Sequence, residues 1–304
     1  DINKRGTTMS KTISKNARNR ILVLEFMVPA LIILTIFVFY PILKSIIMSF
    51  QNWHLTSSSK EHEWVGLKNY KDVFEISHFW QMIGTTLLYT FFSVAGKMVV
   101  GLGVALLFNK RFKGRSIARG IMLIPWAMPT VVVCNTILIA TDPDYGILTA
   151  LFKWLFQLTN LQIFSSTTSS LVAVIIVNIW KNFPFVSLML LSALSTIPKD
   201  YYDAASIDGA GALAQFRNVT WPQLTGIWNT LLILEILWTI KEFELVYLIT
   251  KGGPNNATNI IGIDIYLNAF KYYKVGMASA EGVLLLLVCL IFSIIYFRRV
   301  NEEE

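Results

Sequence analysis

The sequence predicts an all-α integral membrane protein of about six transmembrane helices, and three observations carry that prediction. Hydrophobic residues make up 54% of the chain and charged residues only 15%, where soluble domains run nearer a quarter charged. Apolar runs long enough to cross a bilayer as helices recur from end to end. Lys and Arg are shared unevenly between the connections such helices would leave, as membrane topology demands. In lipid each helix satisfies its own backbone hydrogen bonds, so the core is helix packed on helix.

The spans fall at about 21–47, 79–108, 117–140, 168–194, 225–249 and 275–297, within a transmembrane domain of 21–297. Residues 1–20 and 298–304 form short tails. The first run is too long for a signal-peptide core and lacks a small-x-small cleavage site after it. Met9 reads as a natural start, with Asp1–Thr8 an upstream segment. An even number of spans puts both termini on one side. The 1–20 tail, the 109–119 and 195–224 connections and the C-terminal end together carry fifteen Lys and Arg residues. The connections 48–78, 141–167 and 250–274 carry seven. By the positive-inside rule the richer side is cytoplasmic, so both termini are expected inside. The net charge of +7 is thus a matter of topology and not of nucleic acid, for which no role is expected. Cys134 and Cys289 lie in apolar runs and read as small core residues. His54, His62 and His78 all fall in the first outer connection without metal spacing and read as solvated loop residues.

The 195–224 connection is the most informative stretch. Pro198 suits a first helical turn, and Asp200 suits the positive end of its dipole. That helix runs through Ala204 and Ala205 and breaks near Gly209, where positive φ is free. A second short helix is expected over 212–218, with Pro222 opening the next span. A cytoplasmic helix–turn–helix between two spans is a lever through which an external motor could move both.

These residues resemble the signature of ABC importer permeases, Glu-Ala-Ala, three residues, Gly, nine residues, Ile-x-Leu-Pro. Here it reads Asp203-Ala204-Ala205, Gly209 and Val219-Thr220-Trp221-Pro222, with Asp for Glu, Val for Ile and Trp for Leu. Further fragments are similar to the carbohydrate-uptake, maltose-type branch: Val65-Gly66-Leu67-Lys68-Asn69-Tyr70, Leu123-Ile124-Pro125, Tyr145-Gly146-Ile147, Ile207-Asp208-Gly209-Ala210 and Thr250-Lys251-Gly252-Gly253-Pro254. The resemblance covers nearly everything from residue 20 onward. It implies a type I importer bundle in a bacterial inner membrane, with a coupling helix between spans four and five. Asp203, Ala204, Ala205, Asp208 and Gly209 would form the surface that docks on an ATPase. It also implies the partners: a homologous second permease, two ATPase subunits that hold the ATP and Mg, an extracytoplasmic solute-binding protein, and an oligosaccharide. No cofactor is expected on this chain.

Polar residues inside the spans mark the candidate pathway. Span four holds Asn178, Trp180, Lys181 and Asn182; span five holds Glu235, Trp238, Lys241, Glu242 and Glu244. A lysine at mid-membrane costs roughly 2.5–3.5 kcal/mol, so it must face protein or water. Asn178 and Asn182 share one helix face with Lys181 beside it, and Glu235, Trp238 and Glu242 share another. Amides, carboxylates and indoles suit sugar hydroxyls and sugar C–H faces, and Lys181 would suit an acidic sugar. The bland alternative is that these charges pair with one another as structural glue. Lys97 reads as an inter-helix partner, and Gly101 and Gly103 as close-packing positions. Pro125, Pro129 and Pro184 are expected to kink their helices. The chain has no phosphate-cradling Gly-x4-Gly-Lys-Ser/Thr sequence and no nucleophile–base arrangement, so a conduit is expected and not an enzyme. A rival reading is a stand-alone ion-coupled transporter or channel that uses Glu235, Glu242 and Glu244.

Overall fold

The computed structural model describes residues 27–54, 62–157 and 162–303. The N-terminal tail 1–20, the expected start of span one and Lys60 therefore lie outside the described residues.

The helices in chain order are α1 (Met27–Ser49), α2 (Lys68–Phe74), α3 (Phe79–Asn109), α4 (Arg115–Ala127), α5 (Thr130–Ala140), α6 (Ile147–Phe156), α7 (Thr167–Thr196) and α8 (Lys199–Ile207). They continue with α9 (Ala212–Ile240), α10 (Glu244–Thr250), α11 (Ile261–Tyr266) and α12 (Val275–Glu303). A two-residue antiparallel ladder, β1 (Gln51–Asn52) with β2 (Glu63–Trp64), caps α1. Among the described residues five helices are long and apolar enough to cross a membrane. The bent pair α4–α5 supplies a sixth crossing if it counts as one span.

That pair departs from the single helix expected over 117–140. Its halves meet at 95° because Met128 and Pro129 are successively extended, with ψ of 138° at each. A proline drives the residue before it out of the helical region. Pro184, by contrast, leaves α7 one continuous helix of 30 residues. Two other prolines sit just after a widened turn. The i→i−5 turns Thr35–Phe39 and Phe216–Thr220 end two residues before Pro41 and Pro222. Widening the turn takes the carbonyl four residues back out of the path of the ring. Consequently the helix expected over 212–218 is not separate: α9 runs unbroken from Ala212 to Ile240. The span expected over 225–249 is divided instead, because α9 ends at Ile240 and α10 starts at Glu244. The Glu242 carboxylate between them accepts the backbone N–H of Phe243 and of Leu245, at 3.0 and 3.4 Å.

The centre of the bundle is α3 against α7. Val94, Met98 and Ala105 interdigitate with Val186, Leu190 and Leu194, and Leu224 and Leu231 of α9 close the layer. Gly101 makes this approach possible, since a Cβ there would lie 2.7 Å from Val186. Gly96 has the same role against Ile179. Gly103, expected to do likewise, faces open space.

On the expected outer side, Asn69 ties α2 to the end of α1. Its amide donates to the carbonyls of Ser49 and Gln51 at 2.8 and 2.9 Å. This gives the Val65–Tyr70 fragment a structural purpose. Two histidines are not simply solvated: His78 Nε2 lies 3.0 Å from Asp264 Oδ1, and the His62 ring stacks on Trp53. Cys134 is buried and Cys289 half-buried.

Candidate functional site

Helical periodicity builds one polar cavity in the middle of the bundle. Asn178, Lys181, Asn182 and Phe185 follow the i, i+3, i+4, i+7 rule on α7 and so share one face. Glu235, Trp238 and Thr239 do the same on α9, and Glu242 continues that line past the helix end. Between these faces lies a cavity of about 260 Å³, closed by Lys97 of α3 and by Trp126, Thr130 and Glu244. Trp126 and Thr130 flank the α4–α5 bend, so the extended pair Met128–Pro129 aims both at one space.

Three aromatic rings line the cavity as a continuous row. Trp126 and Phe185 stack at 5.8 Å between centroids, and Phe185 and Trp238 lie 5.3 Å apart. In the same cavity, Lys97 and Glu235 form an ion pair at 2.5 Å with both side chains 2–3% exposed. Lys97 Nζ also donates to Thr239 Oγ1 at 2.7 Å, and that hydroxyl donates to the Glu235 carbonyl at 2.6 Å. The pair carries its own hydrogen bonds, which is what makes two buried charges tolerable in lipid. Asn182 donates to the Asn178 carbonyl at 3.0 Å. The Asn178 side-chain oxygen is buried and accepts no hydrogen bond within normal geometry among the described residues. Lys181 makes no ion pair among the described residues.

Six of the seven pathway candidates therefore meet in one cavity. Trp180 does not: it is 41% exposed and faces away from it. Trp126, Thr130, Phe185 and Thr239 were missed. The two prolines bracketing Trp126 were the available signal, and so was the seven-residue spacing from Asn178 to Phe185.

The second feature is the turn below α9. After α8 the chain reverses at Gly209, whose φ is +78°. Ala210 N–H reaches back to the Ala205 carbonyl at 2.9 Å and Gly209 N–H to the Ser206 carbonyl at 3.1 Å, a left-handed helix stop. Gln215 Nε2 donates to Ser206 Oγ and to the Ala210 carbonyl, at 2.9 and 3.1 Å. Tyr202 and Thr220 hydroxyls meet at 3.0 Å and pin α8 to α9. Asp203, Ala204, Asp208 and Gly209 are exposed, and Ala205 is half-buried. Ile207 and Leu213, neither of them among the expected docking residues, are 86% and 80% exposed beside them. From Ala212 to Glu235 the same helix covers about 35 Å at 1.5 Å per residue, so the turn and the cavity are two ends of one rod.

Comparison with known proteins places this arrangement. Residues 97–298 match the family described as binding-protein-dependent transport system inner membrane component. The chain is 33% identical over 276 residues to the trehalose/maltose transport system permease protein MalF of Thermococcus litoralis, covering 89% of this chain and 90% of that one. It is 30% identical over 286 residues to the sulfoquinovosyl glycerol transport system permease protein SmoG of Agrobacterium fabrum, covering 94% and 92%. Among solved structures, it matches a bacterial ABC transporter involved in the import of the acidic polysaccharide alginate. That match has a TM-score of 0.82 and 21% identity, over 95% of this chain and 98% of the other, a likeness of fold.

Proposed function

The chain belongs to the family of binding-protein-dependent transport system inner membrane components, and on that premise we propose that it is the permease of an ATP-driven oligosaccharide importer. An extracytoplasmic binding protein delivers the saccharide, a second homologous permease completes the pathway, and two ATPase subunits dock beneath. The observation that carries this reading is the single helix α9, which joins the exposed turn at Gly209 to the polar cavity at Glu235 and Trp238.

The ATPase closes on Asp203, Ala204, Ala205, Asp208 and Gly209, with Ile207 and Leu213 as the apolar knobs of the contact. Force applied there travels along α9, and the Tyr202–Thr220 contact keeps α8 from slipping. At the far end the rod shifts Trp238 and Glu235 against α3 and α7, so the cavity alternates its access. The saccharide lies along the Trp126–Phe185–Trp238 row with its hydroxyls on Asn178, Asn182 and Glu242. The names of the relatives, which refer to trehalose and maltose in one case, support a saccharide as the class. Lys181 is the group that would receive the carboxylate of an acidic sugar.

The ion-coupled alternative needs Glu235, Glu242 and Glu244 available to a cation. Glu235 is instead paired with Lys97, which takes one of the three carboxylates out of such a relay.

The test is the mass of the intact complex drawn from native membrane in mild detergent. One homologous permease and two ATPase copies per chain are expected. A chain that emerges alone, or only with itself, overturns the proposal.

A further inference from the structure

The turn between α3 and α4 and the opening turns of α4 carry Lys110, Arg111, Lys113, Arg115 and Arg119 within ten residues. No Asp or Glu occurs anywhere from Ile76 to Thr141, and none of the five cations forms an ion pair among the described residues. Arg119 is partly spent, since Nη2 donates to the Phe108 carbonyl at the end of α3, at 2.9 Å. Lys110, Arg111 and Lys113 are exposed and Arg115 half-exposed. The Nε atoms of Arg115 and Arg119 are buried without a hydrogen-bond partner among the described residues.

Directly beyond these charges the outward face of α4 turns apolar. Ile117, Ile121 and Ile124, spaced i, i+4, i+7, are 71%, 60% and 52% exposed. An apolar stripe headed by unpaired cations, joining two spans at the expected cytoplasmic surface, has the polarity profile of one phospholipid: acyl chains below, an anionic phosphate above. We infer that this turn is a binding site for an anionic phospholipid, with Lys110, Arg111, Lys113 and Arg115 on the headgroup phosphate and the isoleucine stripe along an acyl chain. The inference rests on the inward orientation of the turn and not on the saccharide reading. Basic residues just cytoplasmic of a span are attracted to an anionic leaflet, and the attraction decays within a Debye length. Its natural partner is thus a lipid already in the plane and not a soluble anion.

The experiment uses the assembled transporter, reconstituted with mixtures of phosphatidylglycerol and phosphatidylcholine and then examined by native mass spectrometry for retained lipid. Phosphatidylglycerol is expected to be retained selectively. Lys110→Gln, Arg111→Gln and Lys113→Gln should each weaken retention about fivefold, while Lys110→Arg/Lys113→Arg should keep it. Equal retention of the two lipids by the unaltered protein overturns the inference and requires no variant to fold. Displacement of phosphatidylglycerol by inorganic phosphate overturns the lipid as ligand. Glutamine variants that hold phosphatidylglycerol but lose the ATPase subunits show the patch to be a protein contact, and also overturn it.

Discussion

Lys97 on α3 and Glu235 on α9 meet at 2.5 Å inside the bundle, almost wholly withdrawn from solvent, and Thr239 bonds to both residues. One end of the rod that leads from the Gly209 turn is thereby fastened to α3, which packs against α7 at the centre of the bundle. A fastening made of two opposite charges behaves asymmetrically under mutation.

Lys97→Met leaves the Glu235 carboxylate buried and unpaired, and should cost about 3–5 kcal/mol of stability. The double variant Lys97→Met/Glu235→Leu replaces the pair by apolar atoms and should recover most of that loss. Thermal unfolding of the detergent-solubilised protein checks this. A double variant no more stable than Lys97→Met would show that the unpaired carboxylate is not the source of the loss.

The α3–α7 contact makes a sharper distinction between neighbouring glycines. Gly101→Val forces branched carbons into Val186, and overpacking of this kind typically costs about 1–3 kcal/mol. Gly103→Ala meets nothing within 4 Å and should be neutral or slightly stabilising, as alanine favours the helix. Monodispersity on gel filtration and melting temperature should separate the two variants clearly.

At Gly209 space is open, so the backbone alone constrains the residue. With φ at +78°, Gly209→Val carries a penalty of roughly 1–2 kcal/mol and should distort the turn, uncoupling ATP hydrolysis from uptake or preventing assembly. Gly209→Asn, which tolerates the left-handed region, should retain coupling. The ratio of saccharide transported to ATP hydrolysed is the readout, and normal coupling in the valine variant would contradict the lever.

Trp126→Ala and Trp238→Ala each remove a ring from the cavity row and should weaken saccharide transport about fivefold, on the order of 1 kcal/mol per ring. Trp180→Ala should leave it unchanged. Concentration dependence of uptake in the three variants decides whether the row or the exposed tryptophan contacts substrate. Lys181→Gln extends the test: a loss confined to acidic saccharides identifies the substrate as acidic.

Much of this was legible because helix periodicity is local. Asn178, Lys181 and Asn182 declare a shared face by spacing alone, and the Asp203-Ala204-Ala205…Gly209 spacing declares the turn. What was not legible depended on the path of the backbone. Trp126 and Thr130 reach the cavity only through the 95° bend, whose angle no periodicity encodes. Pro184 looked like the equal of Pro129, yet α7 absorbs it without a break. The end of the fifth span at Ile240 was hidden because Leu245, Val246 and Ile249 continue the apolar run in a separate short helix. His78 looked solvated because its partner, Asp264, lies far away in sequence.

The most direct test of the central claim is ATP-dependent saccharide uptake into proteoliposomes that hold this chain, its homologous permease and the ATPase subunits, with binding protein outside. Accumulation that requires ATP and the binding protein, and that falls sharply with Gly209→Val, is the predicted result. Uptake that proceeds without ATP, driven by an ion gradient through this chain alone, would contradict it.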